Sequence, residues 1–203
     1  MAGKRLENFK IKKFVDKEFN SSMIYIKESR KFIYAIVFIF AIFAIAGYFI
    51  PLPGQLSLQI IDYFRNLIEK TEGLGGFEMS IFIFGNNSVS GFMGLFLGVF
   101  FGVFPIFSAI ANGFVLGFVA NLAVSSEGIF SLWRLFPHGV FELPAIFVSF
   151  GLGVKLSTFI FEKNKLDALR ILLRKSVSSY VFVVLPLLVI AAVIEGTLIV
   201  FGI

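Results

Sequence analysis

Forty-eight consecutive residues, 77–124, contain a single charge, Glu78, and are otherwise apolar or small. A bilayer's hydrocarbon core is about 30 Å thick and takes about 20 helical residues to cross. The stretch is therefore long enough for two spans, and Pro105 marks the natural place to break them. Composition points the same way: 58% of the chain is hydrophobic, 15% is charged, and 29 residues are Phe. So little polar surface cannot cover a water-soluble globule, so the chain needs lipid around it. A nucleic-acid module and a disordered tail are excluded on the same ground. The absence of cysteine removes a disulfide scaffold and thiol or thiolate-metal chemistry.

Four further segments complete the plan. Residues 32–50 are 19 residues without a charge and read as a first span that stays as an anchor, since no small-x-small cleavage site follows. Residues 55–70 carry Leu56, Ile60, Ile61, Phe64, Leu67 and Ile68 on one helical stripe, with Gln59, Asp62, Asn66 and Glu69 largely off it. Such a helix lies at the membrane interface or acts as a lid. Residues 126–138 are too short and too charged to cross, and read as a re-entrant half-helix returning at Pro137-His138-Gly139. Spans over 140–161 and 177–202 follow.

The expected fold is thus all-α, a polytopic transmembrane helix bundle. Five spans (32–50, 81–104, 106–124, 140–161, 177–202) form one domain, residues 32–203, behind a basic tail, residues 1–31. That tail carries a net charge of +5, the loop after the first span −2, and the segment 162–175 +3. Under the positive-inside rule the N-terminus is cytoplasmic and the C-terminus outside.

This topology brings Asn86, Asn87, Asn121, His138, Glu142 and Glu195 to the outer half of the bundle. Ionisable groups inside a membrane are costly and are read first as functional. His138 and Glu142 are four residues apart and share a helical face. They can form a clamp that fixes the turn together with Pro137, Gly139 and Pro144, or hold a cation or proton; whether a metal binds is left open. Glu195 sits in a wholly apolar run and must be protonated, paired or hydrated. Asn112 is expected to hydrogen-bond a neighbouring helix. Gly94, Gly98, Gly102, Gly113 and Gly117 recur at three- to four-residue spacing as close-packing stripes, and these suggest a homo-oligomer.

Enzyme signatures are missing. There is no Gly-x-Ser-x-Gly elbow, no His-Glu-x-x-His and no phosphate-binding Gly-x-x-x-x-Gly-Lys. The aspartates, Asp16, Asp62 and Asp167, all lie outside the spans, so an intramembrane aspartyl pair is excluded. A non-enzymatic protein without a cofactor is expected.

The strings FGNNSVSGFMGLFLG, ANGFVLG, PHGVFELPAIFVSFGLG and AAVIEG, spread over residues 81–203, resemble the stage II sporulation protein M family. The resemblance implies a helical polytopic membrane protein and marks Asn86, Asn87, Asn112, Gly113, Pro137, His138, Gly139, Glu142, Pro144 and Glu195 as signature positions. In endospore-forming bacteria it implies a scaffold that recruits cell-envelope partners. The family also reaches into archaea, which form no spores. Two readings follow: a membrane scaffold or assembly subunit, and alternatively an ion channel or transporter for cations or protons that uses the polar cluster as its pathway.

Overall fold

A computed structural model describes the backbone of residues 2–200, and the side chains within that range except 2–9, 134–138, 141, 199 and 200. Among the described residues there is no strand. The helices are α1 (Ala2–Glu28), α2 (Arg30–Phe49), α3 (Gly54–Thr71), α4 (Gly76–Phe96), α5 (Val103–Glu127), α6 (Phe136–Leu156), α7 (Lys165–Ser179) and α8 (Leu185–Val200). Five are long and apolar enough to cross a membrane: α2, α4, α5, α6 and the continuous α7–α8 unit. Phe38, Phe77, Phe101 and Phe107, each more than 60% exposed, ring the bundle with apolar surface that only lipid covers favourably.

The breaks have local causes. Ile50 turns extended before Pro51 and Pro53, so α2 stops there. Glu78 caps α4: its carboxylate accepts from the Gly75 N–H at 2.9 Å, which accounts for the one charge at the head of that span. The α4–α5 break lies earlier than Pro105 suggests. A 3-10 turn over Leu97–Val99 leads to Phe101 and Gly102, both at positive φ, and α5 starts at Val103 with Pro105 in its first turn, where a missing N–H costs nothing. Gly128, also at positive φ, ends α5. In place of the expected half-helix over 126–138, α5 runs on through Glu127 and the link to α6 is a 3-10 segment, Ile129–Leu135. Between α7 and α8 the chain widens into a π-turn, Tyr180–Val184, in which the Leu185 N–H bonds the Tyr180 carbonyl. Pro186 accounts for it: it has no N–H to donate, and its ring would strike the carbonyl four residues back.

Two helix pairs are drawn together by glycine. In α2 and α5, Gly47 meets the backbone of Phe114, Gly113 that of Phe40, and Gly117 that of Ala44. In α4 and α6, Gly94 lies under the Phe150 ring, and Gly98 and Gly153 face backbone across the pair. These stripes are therefore filled within the chain. α6 is the central helix, with Ala145, Leu152 and Leu156 wholly buried, and the last span backs α4 and α6 through Val184 of its π-turn and Leu188 of α8.

The basic N-terminal segment is a helix that docks on α7. Tyr25 Oη and Ser176 Oγ lie 3.2 Å apart, Ser22 Oγ and Ser178 Oγ 3.3 Å apart, and Ser178 donates to Glu18 at 2.8 Å. Lys155, near the end of α6, sits 3.8 Å from the centre of the Tyr25 ring and 3.8 Å from Glu28.

Candidate functional site: a polar cavity between the helix pairs

α4 packs on α6 and α8, whereas α5 packs on α2, so the two consecutive spans diverge and leave a seam. The seam opens into a cavity of about 580 Å³. α4 contributes Asn86, Asn87 and Ser90, α5 contributes Asn112, Val115 and Val119, and α6 contributes Glu142, Leu143, Ile146 and Phe150. The apolar stripe of α3 lies across it through Leu56, Ile60, Phe64 and Leu67, joined by Gln59 and Tyr63.

Helical spacing explains why α4 brings three polar groups. Residues 86 and 87 both lie within one turn of Ser90 and share its face, while Gly91, Gly94 and Gly98 form the neighbouring stripe toward α6. Two hydrogen bonds hold that segment. Ser149 of α6 donates to the Gly91 carbonyl at 2.6 Å, and Tyr180 donates to the Ser88 carbonyl at 2.5 Å. Asn87 and Glu142 are almost fully buried, at 7% and 6% exposure. The Asn86 amide nitrogen lies 3.5 Å from the Asn87 carbonyl oxygen. Asn112 donates to the Ser108 carbonyl of its own helix at 2.7 Å, not to a neighbouring helix as expected, because its exposed side chain lines the open cavity instead of packing against another helix. Asn112 and Glu142 line the same recess.

Of the six groups expected at one depth, Asn86, Asn87 and Glu142 share this cavity, and Asn112 joins them. Asn121 is half-buried on α5 and does not line it. Glu195 is half-buried on α8, which contributes nothing to the lining; its neighbour Gly196 fits against Ser80 and Gly76 of α4. The side chains of Pro137 and His138 lie outside the described residues. Gly139 lines an adjacent, almost wholly apolar cleft of about 600 Å³, divided from the polar cavity by Leu116 and Leu143. Among the described residues no three His, Cys, Asp or Glu side chains come together as a metal site.

Sequence reasoning missed Ser90, Gln59, Ser149 and Tyr180. Ser90 was legible from its helical spacing to Asn86. Gln59 borders the apolar stripe of α3 and proves to lie on its cavity side, whereas Ser149 and Tyr180 carry no signal beyond being polar.

A cover of this kind is loosely seated. No residue of α3 is buried, and a further gap of about 360 Å³ separates Ile61, Phe64 and Ile68 from Phe118 and Leu122 of α5. The arrangement is a bundle with a recess that carries amide groups, a hydroxyl and a carboxylate among apolar side chains and is covered by an amphipathic helix.

No curated protein and no solved structure matches the chain. A family model does, that of stage II sporulation protein M, over residues 35–198. The match takes in α2 and α3 as well as the α4–α8 region that carries the quoted strings, so it spans every helix that builds the cavity. With most of its length matched, this multi-pass membrane protein belongs to the stage II sporulation protein M family.

Proposed function

We propose that the protein is a non-enzymatic membrane transporter or channel for a small cation or proton, with the cavity as its pathway. The observation that carries this reading is the convergence of Asn86, Asn87, Asn112 and Glu142, from three helices, on one recess inside an apolar bundle. Of these, Asn87 and Glu142 are almost fully buried, and packing alone gives no reason to bury an amide and a carboxylate together, since polar groups in the membrane are costly to keep. Amide and carboxylate oxygens are the ligands that hard cations prefer. At about 30 Å³ per water, a recess of this size has room for an ion with part of its hydration shell. The charge asymmetry supports an orientation with α1 and α7 cytoplasmic and α3 outside.

The test is cation and proton flux in liposomes. Wild type should conduct, and Glu142→Gln should lower flux by about tenfold or more, the factor that 1.4 kcal/mol represents. Glu195→Gln, outside the cavity, should conduct as wild type does. Absence of flux under any gradient would discard the reading.

A second reading, a scaffold or assembly subunit with membrane or cell-envelope partners, is favoured by α3, an amphipathic helix that its own chain leaves unburied. A homo-oligomer would form through lipid-facing surfaces, since Gly94, Gly98, Gly113 and Gly117 already meet helices of the same chain.

A further inference from the structure

A second recess, of about 280 Å³, lies at the opposite end of the molecule between α1 and α7. We propose that it binds the phosphate of an anionic lipid headgroup. Lys17 from α1 and Arg174 and Lys175 from α7 face it, with Ser21 as a hydroxyl donor beside the Ser22 and Ser178 hydroxyls, which bond one another. The single carboxylate present, Glu18, already accepts the Ser178 hydroxyl. Three cations against one engaged anion leave a net positive recess. Among the described residues the ion pairs on this face, Lys155 with Glu28 and Arg170 with Asp167, use none of the three, and Lys175 Nζ lies 5.6 Å from the centre of the Tyr25 ring. An arginine fork beside lysines and hydroxyls is the donor set that a phosphate oxygen takes.

The lipid source follows from what surrounds the recess. Ile11, Phe14 and Phe19 on α1 and Ile171 on α7 are large, apolar and 44–57% exposed beside these cations. Phe14 also meets Phe182, inside the apolar run of the last span, with ring centres 6.4 Å apart. α1 therefore rests where acyl chains begin, with its lysines at headgroup level. A free phosphate would take the cations but has no use for the apolar flank.

The test is lipid retention by the full chain in neutral detergent, read by native mass spectrometry with phosphatidylglycerol and phosphatidylcholine of equal chain length. Wild type should retain phosphatidylglycerol selectively. Lys17→Gln and Arg174→Gln should each weaken retention by about fivefold, the effect of one basic charge near a lipid surface. Lys10→Gln with Lys12→Gln, on α1 but outside the recess, should leave it unchanged, and thermal melts check that each variant is folded. Should Arg174→Gln fail to fold, Arg174→Lys keeps the charge and should still prefer phosphatidylglycerol. Equal retention of the two lipids, an equal loss in the Lys10/Lys12 variant, or displacement of the lipid by inorganic phosphate at matched concentration would each overturn the proposal.

Discussion

At Gly117 the added methyl of an alanine would meet the Ala44 carbonyl, a backbone atom that cannot swing away. At Gly85, on α4, nothing lies within 4 Å. Gly117→Ala should therefore cost about 1–3 kcal/mol, the usual penalty of overpacking, whereas Gly85→Ala should be neutral or slightly stabilising. Thermal unfolding in detergent separates the two. Both glycines are ordinary in the sequence; recurrence marked Gly117 as a packing residue, but its partner on α2 was not legible because composition carries no helix rotation. A second residue-scale expectation concerns Tyr25, whose phenol burial pushes above its ordinary value of 10.0, against the smaller lowering effect of the Ser176 hydrogen bond. The folded state thus keeps Tyr25 neutral where the unfolded chain ionises. Its contribution is complete below pH 10 and is lost as pH rises from there through the folded value. Melting temperature followed across the alkaline range should fall, and Tyr25→Phe should flatten that part of the fall.

Among the elements, α3 is the one whose place the sequence half disclosed. Its stripe of Leu56, Ile60, Phe64 and Leu67 announced an amphipathic helix, and interface and lid were equally open readings. The choice depended on the gap between α4 and α5, which comes from glycine contacts made by other helices. If α3 is the cover, Tyr63→Ser with Phe64→Ser should loosen it. A thiol introduced by Asn86→Cys should then react faster with a water-soluble maleimide, and since the chain has no cysteine the readout is clean. An unchanged rate would mean that α3 does not limit access.

For the molecule as a whole, the five spans were legible because apolar runs of about 20 residues allow few other readings. The convergence of the polar groups was legible only in part. Depth along the spans put Asn86, Asn87 and Glu142 at one level, and all three line the recess. It could not tell that Asn121 and Glu195 do not line the recess, nor that Asn112 does. The docking of α1 on α7 was not foreseen, because Ser22, Ser176 and Ser178 are unremarkable until they meet. Ser22→Cys with Ser178→Cys should form an intramolecular disulfide on mild oxidation, seen as a mobility shift that reductant reverses. Failure to form it would mean that α1 does not rest there.

The proposed pathway requires a cavity that admits water within the bilayer. The direct measurement is maleimide labelling of single thiols in reconstituted membranes, at Asn86→Cys and Asn112→Cys, which line the cavity, and at Val89→Cys and Phe107→Cys, which are 60% and 65% exposed on the same two helices but absent from its lining. A thiol needs water to ionise and react. The prediction is reaction at 86 and 112 and little at 89 and 107. Equal reaction at all four positions, or none at 86 and 112, would contradict the cavity and every reading built on it.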